Sequence, residues 1–139
     1  MGKLIREPDH IALSVKDPYK MADFYHGVLG LELLREEDFK AKKAPFMSVR
    51  VGSMVIDLIP DKKTPDAEEG RQRVNHFCLR LEDSVKMADL ETYLHENKIV
   101  ITDRAEHNWG AFGYGPSFYV LDPENNSVEL KLYPDANPA

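Results

Sequence analysis

The 139-residue chain predicts an α+β fold: two repeated βαβββ modules that form a barrel-like cup. Three observations point there. Period-two alternation, the mark of a half-buried strand, recurs in short runs. Each half carries one stretch of helical spacing after its first such run. The order strand, helix, three strands appears twice, on either side of a polar linker.

The first module covers about residues 8–60. In Asp9–Lys16, Ile11, Leu13 and Val15 alternate with His10, Ala12 and Ser14, which predicts a strand with one apolar face. Asp17-Pro18 then opens a helix carrying Met21, Phe24, Tyr25, Val28 and Leu29, stopped at Gly30. Leu31–Glu36 reads as the second strand, and Pro45–Val51 and Ser53–Ile59 as two more joined tightly at Gly52. A charged, proline-containing linker follows over about 61–73.

The second module covers about 74–134. Val74–Leu81 alternates with His76 near its start, and Val85, Ala88, Leu90 and Leu94 mark the helix. Ile99–Ile101 reads as a short strand. Thr102–Gly115 reads as a glycine-rich loop carrying Trp109, Phe112 and Tyr114, an expected cover for a site or a packed Ω-loop. Ser117–Leu121 and Ser127–Tyr133 close the module around the turn Asp122-Pro123-Glu124-Asn125-Asn126. Neither module alone buries enough surface, so the two are expected to form one domain over 1–139.

Composition limits the function classes. Hydrophobic residues make up 42% and charged residues 30%, with a formal net charge of −6. That balance is globular and offers no bulk attraction to nucleic acid or anionic membrane. No apolar run approaches the roughly 18 residues of a membrane span. The opening MGKLIREPDH lacks the apolar stretch of a signal peptide, and Arg6 stands where myristoylation wants Ser or Thr. Cys78 is the single cysteine, so no internal disulfide forms. A cytoplasmic protein is the expectation.

Candidate chemistry comes from laying the halves on each other. Asp9-His10 matches Asn75-His76, and Val55–Leu58 matches Ser127–Leu130, so Asp57 falls on Glu129. By strand alternation all four polar groups lie opposite the apolar faces. Taken singly, a histidine at a strand start is more often solvated or hydrogen-bonded than a ligand. A histidine and a carboxylate recurring together in a repeat point instead to borderline divalent metals: Zn, Ni, Co, Mn or Fe.

The segment DHIALSVKDPYKMADFYHGVLGLEL resembles the opening of vicinal oxygen chelate proteins, the group of glyoxalases, bleomycin-resistance proteins and extradiol dioxygenases. VNHFCLRLED and GPSFYVLDPENNSVELKLY resemble their second module, with the closing aromatic-x-x-Asp-Pro-x-x-Asn-x-x-Glu-Leu pattern at Tyr119–Leu130. The resemblance implies a glyoxalase-type fold, one divalent metal held by His10, His76 and Glu129, and a homodimer, sometimes with sites completed across the interface. Asp57 stands at a fourth position where glyoxalases carry glutamate or glutamine. Being one methylene shorter, it is either a direct ligand or a base acting one layer further out.

Further candidates each have a plainer reading. Arg50, Arg80 and Lys131 fall on the open face. Arg50 and Arg80 either clamp a substrate anion or pair with Glu36 and Glu82 at the rim. Tyr119 either orients a ligand or packs, and Trp109 either contacts substrate or fills the loop. Glu36 is either a base on the second strand or a solvated charge. Cys78 is a soft ligand or, more commonly, a small filler. His26 and His95 read as surface residues.

The resemblance leaves several functions open. One is a glyoxalase I-like lyase or isomerase acting on a small molecule whose adjacent oxygens are held by the metal. Another is a non-haem Fe(II) ring-cleaving dioxygenase, using two histidines and one carboxylate. A third is a fosfomycin-type resistance enzyme, whose relatives tend to continue further beyond the residue at Glu129, and a fourth is a metal-free drug-binding protein, against which His10, His76 and Glu129 speak.

Overall fold

The computed structural model describes residues 3, 6–62 and 74–134, so most of the expected linker lies outside the described residues. The chain divides into two compact units, Met1–Asp66 and Ala67–Ala139.

The first unit holds β1 (His10–Val15), α1 (Pro18–Ala22), β2 (Glu32–Leu34), α2 (Glu36–Lys40), β3 (Met47–Val51) and β4 (Met54–Pro60). Asp17 caps α1 by accepting from the Lys20 amide at 3.0 Å, and Pro18 suits the first turn because its missing donor would be unpaired there. The helix runs on as a π-helix, Asp23–Val28. It ends at Gly30, whose φ of +77° is the left-handed conformation that a side chain disfavours. The sheet order is β1-β4-β3-β2, with β1 parallel to β4 and the other pairs antiparallel. Helix α1 lies against β3 and β4. Val15, Met47, Val49, Ile56 and Leu58 are buried, together with Met21, Phe24 and Tyr25 from the helical segment. Each such side chain contributes about 1.5–3 kcal/mol of burial.

The second unit holds β5 (Phe77–Arg80), α3 (Met87–Glu96), β6 (Ile101–Gly110), β7 (Gly113–Leu121) and β8 (Ser127–Lys131). Its order, β5-β8-β7-β6, repeats the first: β5 is parallel to β8 and the rest are antiparallel. Leu79, Phe118, Val120, Val128 and Leu130 form the apolar face. Helix α3 buries Leu94 and is tied to β6 by Arg104, which donates to Glu91 at 2.5 Å. The β7–β8 turn is built by buried Asp122. Its Oδ1 accepts the amides of Glu124 and Asn126, each at 2.9 Å, and its Oδ2 accepts Asn126 Nδ2 at 2.8 Å. The Asp-Pro-x-x-Asn part of the closing pattern is therefore a turn lock.

The eight expected strands are present among the described residues, with three departures. Residues 102–115 are no loop: β6 and β7 form a long hairpin through them. Most of β6 is exposed and its register shifts twice, at Ile101/Asp103 and Ala105/Asn108. No single face is apolar, so alternation is lost from the sequence. Glu36 is not on the second strand. β2 stops at Leu34, Arg35 turns at φ +69°, and Glu36 opens the short helix α2. His76 stands one residue before β5 rather than within it.

Candidate functional site

Each unit builds the same motif from its parallel strand pair. In the first, His10 is in register with Val55, and Asp57 lies two residues further along β4. In the second, Cys78 is in register with Glu129, so His76 stands in the corresponding place on its chain. His10 Nε2 lies 3.9 Å from Asp57 Oδ2, and His76 Nε2 lies 3.9 Å from Glu129 Oε1. The repeat seen in the sequence is thus a repeat of side-chain placement.

The other nitrogen of each ring is held by the preceding residue. His10 Nδ1 is 2.6 Å from Asp9 Oδ1, and His76 Nδ1 is 2.7 Å from Asn75 Oδ1. Asp9 accepts only, and Asn75 presents its oxygen end, so in this arrangement each neutral ring carries its proton on Nδ1 and turns the Nε2 lone pair toward the carboxylate. Asp9's hydrogen bond and then the charge of Asp57 hold the His10 pKa above its ordinary value.

The carboxylates are oriented from the neighbouring strand. Ser48, paired with Asp57 across β3–β4, donates its hydroxyl to Asp57 Oδ1 at 2.6 Å. Tyr119, paired with Glu129 across β7–β8, donates to Glu129 Oε1 at 2.9 Å. Asn108 Nδ2 reaches the same oxygen at 3.4 Å. Asp57 and Glu129 are both buried, at 9% and 4% exposure, so their hydrogen bonds replace lost water. Burial first, then Glu129, pushes the Tyr119 hydroxyl up to about 12, so it stays a donor at neutral pH. Cys78 keeps an exposed edge, yet desolvation of its sulfur and the adjacent Glu129 push the thiol up to about 12.

The structure brings His10 together with Asp57, and His76 together with Glu129 and Tyr119. Of the other candidates, Cys78 is in register beside Glu129, while the arginines and Glu36 pair with other residues. Arg50 faces Glu32 at 3.9 Å, and Arg80 donates to Asp83 at 3.3 Å while lying over the Phe112 ring at 4.3 Å. Both are rim ion pairs, with partners other than Glu36 and Glu82. Trp109 is on β6 and 66% exposed. Glu36 pairs with Lys40 at 2.6 Å. His26 and His95 are exposed, and His26 Nδ1 bonds the Leu31 carbonyl at 2.6 Å.

Sequence reasoning missed Ser48 and Asn108. A signal for Ser48 existed: folding the β3–β4 hairpin at Gly52-Ser53 puts it opposite Asp57. Asn108 follows a register shift in β6 and had no such signal.

Among the described residues, no group of three or more His, Cys, Asp or Glu gathers in metal-holding geometry; each unit holds one histidine–carboxylate pair of its own. The donor chemistry of the pairs fits a borderline divalent ion. Two donor atoms each about 2.0–2.2 Å from one tetrahedral ion stand roughly 3.4 Å apart, and roughly 4.3 Å apart with the ion on the line between them. The observed 3.9 Å lies between these values and is too long for a hydrogen bond.

The family model described as Glyoxalase/Bleomycin resistance protein/Dioxygenase superfamily matches residues 7–130. The chain is 31% identical over 134 residues to Glyoxalase domain-containing protein RDO1 of Mycosarcoma maydis, covering 95% of this chain and 71% of that protein. It is 37% identical over 65 residues to a lactoylglutathione lyase of Pseudomonas aeruginosa, covering 47% of this chain and 33% of the lyase. A glyoxalase/dioxygenase from Nostoc punctiforme has the same fold, with TM-score 0.75 at 20% identity, over 97% of this chain and 99% of that one. So has a virulence protein of Salmonella typhimurium, with TM-score 0.72 at 23% identity over 94% and 99%.

Proposed function

Because the chain belongs to the Glyoxalase/Bleomycin resistance protein/Dioxygenase superfamily, we propose that it is a metal-dependent enzyme of the lyase or isomerase kind, acting on a small molecule with adjacent oxygens. His10, His76 and Glu129 would hold one divalent ion, with Asp57 as a fourth acidic group. The observation that carries this reading is the duplicated histidine–carboxylate pair, each at 3.9 Å with the histidine Nδ1 engaged. A purely structural histidine has no need of that arrangement twice in register-equivalent places. The match to a lactoylglutathione lyase, which covers 33% of that enzyme, supports the reaction class.

The ion, when bound, would supply Lewis acidity toward the paired substrate oxygens. The chain's own residues have separate tasks. Asp9 and Asn75 fix the imidazole tautomers. Tyr119 and Asn108 hold the Glu129 carboxylate, and Tyr119 keeps its proton at neutral pH. Asp57, held by Ser48 at Oδ1, turns Oδ2 toward His10 and can accept a proton there. If Ser48 keeps Asp57 from ligation, two histidines and one carboxylate remain, the donor set of Fe(II) oxygenases, and a dioxygenase is the second reading.

A homodimer belongs to the same proposal. The outer strands of each sheet carry backbone groups that their own sheet leaves unpaired, and such edges call for cover. A cytoplasmic setting suits the single thiol, Cys78. Metal analysis of protein purified from its own host, followed by hemithioacetal isomerisation and oxygen-uptake assays, tests the reading. Isomerisation without oxygen uptake is expected. Oxygen uptake selects the dioxygenase, and a chain that binds no divalent metal overturns both.

A further inference from the structure

Lys131 is 1% exposed, and among the described residues its ammonium group donates to three neutral oxygens. Nζ donates to the Asn108 carbonyl at 2.7 Å, to the Gly115 carbonyl at 2.9 Å, and to the Asn108 side-chain oxygen in a third, short contact. The Tyr133 ring lies 5.2 Å away. Burying an ammonium is costly unless all its protons are used, and here three acceptors meet three protons. The place is tightly built: a Cβ on Gly115 would fall 2.1 Å from the Leu132 carbonyl oxygen.

The consequence runs through Asn108. A side-chain amide has an oxygen end and a nitrogen end that exchange by a flip. An ammonium only donates, so Lys131 fixes the oxygen end toward itself. The NH2 end is thereby turned to Ser117 Oγ at 3.2 Å, the Tyr119 hydroxyl at 3.3 Å and Glu129 Oε1 at 3.4 Å. With Asn108 donating to it, the Tyr119 hydroxyl directs its own proton to Glu129 Oε1. Reversing the amide would aim an acceptor at the carboxylate.

The geometry points to Lys131 as a positioning residue for Glu129: through the Asn108 amide it sets the direction of the hydrogen bonds that hold the carboxylate. Lys131 needs no contact with substrate or metal for this. The inference rests on Glu129 being a metal ligand, but its first readout is independent of metal.

The test uses the full chain with Lys131→Met, Asn108→Ala and the double substitution. In the metal-free protein, NMR follows the Asn108 side-chain NH2 pair and the Tyr119 hydroxyl proton. Lys131→Met is expected to collapse the NH2 signals toward those of a solvated amide and to abolish the protected hydroxyl signal. Both signals unchanged would overturn the inference. Should Lys131→Met fail to fold, Asn108→Ala decides. It leaves the lysine both backbone acceptors, and a retained hydroxyl signal there would overturn the inference as well. Zn2+ titration then reads the effect on Glu129. Each single variant should weaken binding about 10–100-fold, with no further loss in the double. Unchanged affinity, or additive losses, would show a packing role only. If the unsubstituted chain binds no Zn2+, the metal reading fails while the NMR result still decides the orientation.

Discussion

The Ser48 hydroxyl donates to the Asp57 carboxylate at 2.6 Å, directly across the β3–β4 pairing. Tyr119 does the same for Glu129 across β7–β8. Two different side chains therefore meet one requirement at one register position: a buried carboxylate needs a fixed donor. Removing that donor exposes the cost. Ser48→Ala should lower stability by about 1–3 kcal/mol, because a buried charged acceptor loses its partner. Chemical denaturation checks this, and an unchanged midpoint would show that Asp57 finds another donor.

Tyr119→Phe keeps the ring that meets His76 edge-on at 5.2 Å and removes only the hydroxyl. Metal affinity should drop about 10–100-fold, the usual cost of losing a group that orients a ligand. His10→Ala, His76→Ala and Glu129→Ala should each cost more, since a ligand itself is lost. Isothermal titration with Zn2+ ranks the four. Equal affinity in Tyr119→Phe and the unsubstituted chain would assign Tyr119 to packing.

How much of this was legible depends on whether a strand alternates apolar and polar residues. In β1, β4 and β8 the apolar Ile11, Ile56 and Val128 alternate with His10, Asp57 and Glu129, so the sequence displays both the element and the candidate site, although Asp57 and Glu129 are themselves buried and Ile11 is exposed. β6 alternates nothing: Trp109 is 66% exposed, and two register shifts break any period. Reading it as a loop follows from that. Asn108 was hidden for the same reason, and Lys131, read from the sequence as an open-face residue, is instead 1% exposed, which its sequence neighbours do not reveal. Its partners, Asn108 and Gly115, are brought to it only by the β6–β7 hairpin.

The Glu91–Arg104 pair gives a pH signature away from the site. The Arg104 hydrogen bond, ahead of its charge, holds the Glu91 carboxyl below its ordinary value. A lowered folded-state pKa contributes stability that is present above the unfolded value and lost as pH falls through the folded one. Both groups are well exposed, so the effect should be small and salt-sensitive. Carboxyl NMR should show Glu91 titrating higher in Arg104→Ala. An unmoved titration would mean that the pair does not persist in solution.

Gly115 and Trp109 separate packing from surface on the β6–β7 hairpin. Gly115→Ala drives a Cβ to 2.1 Å from backbone, where no flexible side chain can yield, and should cost about 1–3 kcal/mol or more. Trp109→Ser removes a side chain that is 66% exposed and should stay within about 0.5 kcal/mol. If Trp109 contacts substrate, KM rises in Trp109→Ser while stability holds. Thermal unfolding and steady-state kinetics measured together settle its role.

Asp57→Ala separates three roles for one carboxylate. Its Oδ1 is held by Ser48, while its Oδ2 faces His10 Nε2 at 3.9 Å, the same distance that separates His76 from Glu129. A direct ligand, when removed, takes metal content and activity down together. A base that accepts a proton leaves metal content intact and lowers turnover, with KM little changed. A solvated strand residue would change neither, but Asp57 is only 9% exposed, which argues against that outcome. Asp57→Glu sharpens the choice. Restoring the methylene that glyoxalases carry at this position should raise metal affinity if the aspartate falls short of ligation. It should lower turnover instead if Asp57 already acts as a base at its present reach. Metal content by elemental analysis beside kcat distinguishes them, and Asp57→Ala with full metal and full turnover would remove Asp57 from the site.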